Sequence, residues 1–172
     1  ADVQDTQHAI GYLREQQMID PQRCLIRGGS AGGYTVLSAL TFTDTFQAGA
    51  SLYGIGDLET LAKDTHKFES RYMDSLIGPY PERRDIYLER SPIHHAEGLN
   101  CPVIFLQGLE DKVVPPNQAE MMVKLLQDKG IQVEYVSFPD EGHGFRKANN
   151  IIRAMESELA FYRDVFNVAG KA

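Results

Sequence analysis

The segment CLIRGGSAGGY, residues 24–34, determines the fold that this sequence predicts. It opens with CLIR at residues 24–27, a short strand candidate, and passes into a glycine-rich turn over residues 28–33. From Ala31 to Leu40 the apolar residues indicate a buried helix. Ser30 stands in the turn, and the four residues that flank it are all Gly or Ala. The segment therefore predicts a strand, a tight turn that presents Ser30, and a helix.

Strands and helices alternate along the rest of the chain. Further strands are predicted over residues 48–53, 103–106 and 133–138, and further helices over residues 4–17, 116–129 and 149–166. Alternation of this kind indicates βαβ units and a parallel sheet. We therefore expect an α/β fold of about four mostly parallel strands with flanking helices.

One connection is much longer than an ordinary loop. Residues 54–100 contain no convincing strand, but they contain three short helix candidates over residues 57–63, 67–76 and 81–89. Pro81 suits the first position of the last of these helices. We expect a helical excursion over one end of the sheet, which either covers the sheet or helps to shape a pocket.

Composition excludes several classes of protein. The 172 residues carry a net charge of −7, which disfavours nucleic acid or an anionic membrane as a partner. No apolar run approaches the roughly 20 residues needed to cross a bilayer. The two cysteines, Cys24 and Cys101, are too few for a disulfide framework; we expect two buried thiols, with a bridge between them left open. No signal peptide is visible, so we expect a cytoplasmic protein.

The G-x-S-x-G pattern at residues 28–32 is that of a nucleophile elbow. Such a turn forces the serine into a strained backbone conformation that projects its hydroxyl, and small neighbours permit the close approach of other backbone. The Ala31 amide, at the start of a helix, would point towards a developing oxyanion. A phosphate-binding glycine loop is the rival interpretation. It fails because no G-K-[ST] ending follows and Ser30 stands where a dinucleotide fingerprint needs glycine.

A serine nucleophile needs a base, and in this kind of fold an acid and then a histidine follow it along the chain. Asp111 follows the strand at 103–106, with Glu110 as its competitor, and His143 follows the strand at 133–138 between two glycines. Both residues are predicted at the carboxyl edge of the sheet, where open α/β sheets place their sites. The remaining histidines are expected to be surface or packing residues: His8, His66, His94 and His95.

No metal site or cofactor site is predicted. The H-E-x-x-H pattern is absent, and His94 and His95 are adjacent, so they would point about 100° apart on a helix. Asp140 and Glu141 form a small acidic cluster before His143. We interpret this cluster as a solvated turn, with attraction of a substrate amine as the alternative.

Three motifs together resemble the prolyl oligopeptidase family of serine peptidases, in its acylaminoacyl-peptidase and dipeptidyl-aminopeptidase branch. They are RGGSAGGY at residues 27–34, QGLEDKVVP at residues 107–115 and EGHGF at residues 141–145. The resemblance implies that Ser30 is the nucleophile, that Asp111 orients the imidazole, and that His143 is general base and then general acid. It also implies that the Ala31 amide is one oxyanion donor.

The sequence departs from that family before the nucleophile. Members carry an N-terminal β-propeller, several earlier strands and an earlier loop that supplies a second oxyanion donor, and residues 1–23 can provide none of these. We therefore expect residues 1–172 to be a single, partial α/β-hydrolase domain, the C-terminal part of its fold, without its N-terminal strands or any propeller. The strand before Ser30 would lie at an open edge, which either a second copy of the chain or the missing part would cover.

The function that follows is that of a serine peptidase, which hydrolyses short peptides through an acyl-enzyme. An esterase or a dienelactone-hydrolase-like enzyme with the same triad is the first alternative. The second alternative is an inactive fragment that serves only as an assembly or interaction module.

Overall fold

A four-stranded parallel sheet forms the centre of the computed structural model, which describes residues 1–64 and 70–168. The strands lie in the order β1-β2-β3-β4, so that neighbours in the chain are also neighbours in the sheet. Their bounds are β1 Leu25–Gly29, β2 Ala48–Leu52, β3 Val103–Gly108 and β4 Val133–Phe138. The predicted α/β class and the strand count are confirmed, and β1 is an edge strand of this sheet.

Seven α-helices flank the strands within the described part of the chain. They are α1 Asp2–Glu15, α2 Ala31–Phe42, α3 Leu58–Asp64, α4 Ser70–Leu76, α5 Arg84–Arg90, α6 Asn117–Asp128 and α7 Ala148–Val165. Every predicted helix has a counterpart among them, although residues 67–69 of the second excursion helix lie outside the described residues. The sequence did not predict the 3-10 helix Pro92–Gly98.

The predicted start of the last excursion helix is wrong. Pro81 does not open α5, which begins only at Arg84. The amide of Arg83 donates to the Pro79 carbonyl and that of Arg84 to the Pro81 carbonyl, so a hydrogen-bonded turn occupies the residues before the helix. A proline is as compatible with such a turn as with a first helical turn, and the sequence pattern does not distinguish the two.

The two faces of the sheet bury two separate apolar clusters. Val103 and Phe105 of β3 pack with side chains of α2 and α6, whereas Ile104 and Leu106 pack with side chains of β4 and α7. This alternation arises because successive residues of a strand point to opposite faces. All four of these side chains are at most 1% exposed, so β3 lies at the centre of a three-layer structure.

An ion cluster around the buried Glu59 carboxylate stabilises the helical excursion. The Glu59 carboxylate of α3 accepts hydrogen bonds from Arg84 and from the Tyr80 hydroxyl, and it pairs with Lys63. Arg84 is the main reason why the pKa of Glu59 falls to about 2. The helices of the excursion are therefore joined to one another by ion pairs and by an apolar cluster around Tyr87.

A second polar contact attaches the excursion to α6. The side-chain carbonyl of Gln118 accepts hydrogen bonds from the amides of Gly56 and Asp57, at 3.0 and 2.9 Å, and its NH₂ group donates to the Asp57 carbonyl. Gln118 is fully buried. The chain that leaves β2 is thus fixed close to the carboxyl edge of the sheet.

Helix α7 is joined to the strand that precedes Ser30. The Arg27 guanidinium donates to both oxygens of Glu158, at 2.7 and 3.0 Å, and the Tyr162 hydroxyl donates to the same carboxylate. Glu158 is buried, whereas the Arg27 side chain is 53% exposed. Burial and the hydrogen bond to Glu158 raise the pKa of the Tyr162 hydroxyl.

Both cysteines are unpaired thiols. Cys24 is buried and Cys101 is half-buried, and burial raises the pKa of Cys101 to about 11. The expectation of two thiols is therefore confirmed, except that Cys101 is only partly covered. Within residues 1–64 and 70–168, no helix has the length and apolar character required to cross a bilayer.

Candidate active site

Ser30 occupies a strained turn between β1 and α2. Its backbone has φ 56° and ψ −121°, a conformation that a residue other than glycine rarely adopts. The Ser30 amide donates to the Leu52 carbonyl at 2.9 Å, which ties the turn to the end of β2. Close packing explains the small neighbours, because a Cβ atom on Gly28 would lie 2.5 Å from the carbonyl oxygen of Gly32.

Asp111 lies in the loop that follows β3, and its side chain is completely buried. One carboxylate oxygen accepts the amides of Val113 and Val114, at 2.9 and 2.8 Å. These two bonds fix the carboxylate and leave its second oxygen free for another donor. The competitor Glu110 is exposed, and its amide donates to the Glu141 carbonyl.

His143 lies between the other two predicted residues. Its Nε2 atom is 2.9 Å from the Ser30 hydroxyl oxygen, and its Nδ1 atom is 2.8 Å from the second oxygen of Asp111. A carboxylate only accepts hydrogen bonds, so the proton belongs on Nδ1, and Nε2 is left to accept the Ser30 proton. The structure thus brings together three residues that are 81 and 32 positions apart along the chain. The array can take a proton from a hydroxyl.

Tyr53 supports the His143 ring, and the sequence did not single it out. It follows β2 with φ 40°, and its ring meets the imidazole edge-on at 5.0 Å between centroids. The same ring meets Phe145 at 5.4 Å and covers Gly29, where an added Cβ atom would lie 2.9 Å from it. Its position in the sequence could have indicated this role. An aromatic residue at the carboxyl end of β2 lies at the same sheet edge as the loops that carry Asp111 and His143.

The two acidic residues before His143, Asp140 and Glu141, are expected from the sequence to form a solvated turn, and the structure agrees for only one of them. Asp140 is exposed and pairs with Lys147, as a solvated turn requires, but Glu141 is only 3% exposed. Its carboxylate accepts the amides of Arg146 and Lys147 and the side-chain NH₂ of Asn150. The solvated-turn interpretation is therefore wrong for Glu141, and a carboxylate that is so enclosed is not available to attract a substrate amine.

The other histidines lie elsewhere. His8 is exposed on α1, His94 lies 3.9 Å from an Asp57 carboxylate oxygen, and His95 packs edge-on against Phe42. His66 lies outside the described residues. Over residues 1–64 and 70–168, no group of three or more His, Cys, Asp or Glu residues could hold a metal ion.

A cavity of about 820 Å³ opens beside the Ser30 turn. Ala31 and Tyr34 of α2 form part of its wall, and Leu58, Met73 and Ile77 of the excursion form another part. The expectation that the excursion could help to shape a pocket is therefore confirmed. Its wall also contains charged residues, Asp2, Glu89 and Arg90, and it meets the Ser30 turn at Ala31.

Comparison with known families agrees with this geometry. The model of the prolyl oligopeptidase family matches residues 1–169. The chain belongs to the prolyl oligopeptidase family. The resemblance inferred from the three motifs is thereby confirmed, and with it the α/β-hydrolase type of the fold.

Relatives within the prolyl oligopeptidase family cover almost all of this chain. Dipeptidyl aminopeptidase BIII of Pseudoxanthomonas mexicana is 34% identical over 148 residues, which are 83% of this chain and 22% of that protein. The structure of a Mycobacterium tuberculosis puromycin-hydrolyzing peptidase is 47% identical with a TM-score of 0.95, over 99% of this chain and 26% of that one. A puromycin hydrolase structure is 42% identical with a TM-score of 0.93, over 97% and 25%. The chain thus spans about a quarter of the length of these relatives.

Proposed function

We propose that this protein is a serine peptidase that hydrolyses short peptides through an acyl-enzyme. Ser30 is the nucleophile, His143 is the base and then the acid, and Asp111 orients the imidazole. The single observation that carries the proposal is the 2.9 Å separation of the Ser30 hydroxyl oxygen from Nε2 of His143. Membership of the prolyl oligopeptidase family supports it.

Two half-reactions follow from these roles. His143 Nε2 takes the Ser30 proton as the hydroxyl oxygen attacks the scissile carbonyl, and the Ala31 amide stabilises the oxyanion at the start of α2. The tetrahedral intermediate expels the amine, which receives that proton from His143, and leaves an ester on Ser30. Water then attacks this ester with the same base, which releases the acid and regenerates the hydroxyl.

The cavity that Ala31 helps to line is a candidate site for part of the substrate. Its wall combines apolar side chains, such as Leu58 and Met73, with the charged residues Glu89 and Arg90, so it offers both apolar and ionic contacts to a substrate. Of the named relatives, one is a dipeptidyl aminopeptidase, one is a puromycin-hydrolyzing peptidase and one is a puromycin hydrolase. We propose the same substrate class, short peptides and aminoacyl amides, for this protein.

Two measurements test the activity. A fluorophosphonate probe should label Ser30 in the wild-type protein and leave the Ser30→Ala variant unlabelled. Aminoacyl nitroanilides should be turned over, and puromycin should be cleaved. Turnover of esters alone would contradict the peptidase assignment and favour the esterase. Absence of labelling in a folded protein would instead favour the hypothesis of an inactive assembly module.

We further propose that the free edge of β1 is covered in the working protein, either by a second copy or by a further segment of chain. Support comes from the sheet order, which leaves the strand before Ser30 with a neighbour only on the β2 side. An open parallel edge invites pairing and aggregation. Slow hydrogen exchange of the outward amides of Leu25–Gly29 is the expected result for the full-length gene product in its native oligomeric state, and fast exchange in that state would contradict this proposal.

A further inference from the structure

The loop that carries His143 is closed by one side chain. Before the histidine, the Glu141 amide donates to the Phe138 carbonyl at 3.3 Å. After it, the amides of Arg146 and Lys147 both donate to the Glu141 carboxylate, at 3.0 and 2.9 Å. The carboxylate thereby closes residues 141–147 into a ring, and His143 is one of the residues of that ring.

The Glu141 carboxylate is enclosed and fully engaged. Its third donor is the side-chain NH₂ of Asn150, at 3.0 Å. The three donors lie within residues 146–150, around Ala148, where α7 begins. Burial on its own would raise the pKa of Glu141, but the hydrogen bonds from Asn150, Lys147 and Arg146 outweigh it and lower that pKa. An anion at a helix N-terminus is also stabilised by the helix dipole.

Glu141 also connects the histidine loop to the Asp111 loop. Its carbonyl oxygen accepts the Glu110 amide at 2.9 Å, one residue before Asp111. The two loops approach so closely that a Cβ atom on Gly108 would lie 2.4 Å from the same carbonyl oxygen. The main chain of Glu141 therefore sets where the histidine loop lies against the Asp111 loop, while its side chain sets the course of the loop beyond His143.

We propose that Glu141 is a positioning residue, which holds the His143 imidazole in line with both Ser30 and Asp111. The proposal rests on the proposed function, because it assigns Glu141 a role only through His143. Without the carboxylate, the amides of Arg146 and Lys147 lose their acceptor, and the ring that holds the imidazole opens. Small displacements of a catalytic base are costly to the rate, because proton transfer needs hydrogen-bond distance.

The test compares five variants of the full-length gene product. Glu141→Ala removes the acceptor, and Glu141→Gln keeps one acceptor oxygen of similar shape. Asp140→Ala is the matched control, since the neighbouring carboxylate is exposed and bonds only to the side chains of Lys147 and Asn150. The remaining two variants are His143→Ala and the double variant His143→Ala/Glu141→Ala. Each is assayed for kcat and KM on a Phe nitroanilide and for the rate of fluorophosphonate labelling per folded molecule.

Glu141→Ala should lower kcat about 10- to 100-fold with KM changed less than about twofold, and Glu141→Gln should lose less. Asp140→Ala should stay close to wild type. In the His143→Ala background, Glu141→Ala should slow labelling no further, because both changes act through one group. A further loss there of equal size would show a general structural role and overturn the proposal.

Two further outcomes are decisive. If His143→Ala abolishes turnover while folded Glu141→Ala retains the wild-type kcat, only the role of Glu141 fails. If His143→Ala itself retains the wild-type kcat, the proposed function fails, and the role of Glu141 fails with it. Should Glu141→Ala not fold, Glu141→Gln takes its place in every comparison, and an unchanged kcat in that variant overturns the proposal.

Discussion

A Cβ atom on Gly28 would lie 2.5 Å from the carbonyl oxygen of Gly32. The two glycines lie two positions before and two positions after Ser30, and the turn brings their backbones into contact. The contact is one-sided, because a Cβ atom on Gly32 would meet nothing within 4 Å. Close packing therefore requires glycine at position 28 and leaves room for a larger residue at position 32.

Gly28→Ala should destabilise the protein by about 1–3 kcal/mol, because the new methyl group meets backbone that cannot move aside. Gly32→Ala should leave both stability and labelling of Ser30 close to wild type. Urea unfolding and fluorophosphonate labelling of the pair provide the measurement. Equal stability of the two alanine variants would contradict the packing argument.

Asp111→Asn should lower kcat by about 10³–10⁴-fold while the fold is retained. The amides of Val113 and Val114 require an acceptor, so the Asn oxygen faces them and its NH₂ group faces His143. Nδ1 must then accept that hydrogen bond, which moves the imidazole proton to Nε2, where it cannot take the Ser30 proton. Nitroanilide kinetics measure the loss. Glu110→Gln, at the exposed neighbour, is the control and should keep its kcat.

Stability should fall at acid pH in a way that depends on Glu59. Its folded pKa of about 2 lies below the ordinary value of 4.5, so the stabilisation is present above about pH 4.5 and is lost as the pH falls towards 2. We expect about 1–3 kcal/mol, reduced by solvent at the half-exposed Arg84 and Lys63.

Urea unfolding of the wild type and of Glu59→Gln from pH 6 to pH 2.5 measures this contribution. The difference in free energy of unfolding between the two proteins should shrink over that range. A difference that is constant with pH would exclude Glu59 as its source.

Arg27→Ala should destabilise the protein by about 1–3 kcal/mol, because it leaves the buried Glu158 carboxylate with Tyr162 as its remaining side-chain donor. The double variant Arg27→Ala/Glu158→Ala should be less destabilised than the sum of the two single changes. The control is Lys124→Ala, which breaks the exposed pair with Asp128 on α6 and should cost less than about 0.5 kcal/mol. Additive effects of Arg27 and Glu158 would refute the coupling.

Sequence patterns predicted the central sheet well, because strands buried on both faces are continuous apolar runs. Residues 103–106 are such a run, and the structure extends it only to Gly108. Short turns were harder to predict. The turn around Pro81 and the 3-10 helix Pro92–Gly98 form through hydrogen bonds between residues of the excursion. The composition of these segments does not predict which of those hydrogen bonds form.

Burial of polar side chains was the other feature that patterns could not predict. Asp140 and Glu141 are adjacent acids in one turn, and nothing in the sequence says that one is solvated and the other enclosed. The difference arises because the chain returns at residues 146–150 and offers three donors to Glu141. Tyr53 was missed for a similar reason, since its contact with His143 joins residues 90 positions apart.

The sequence by itself determined the α/β class, the family and the identity of Ser30, Asp111 and His143 as candidates. It could do so because a strained serine turn needs small neighbours, and because parallel strands bring the loops at their carboxyl ends to one edge. Only the tertiary structure decided the distances among those three residues, the choice of Asp111 over Glu110, and the role of Glu141 as an acceptor. Those features depend on contacts between segments far apart in the chain, and local sequence does not encode which donor meets which acceptor.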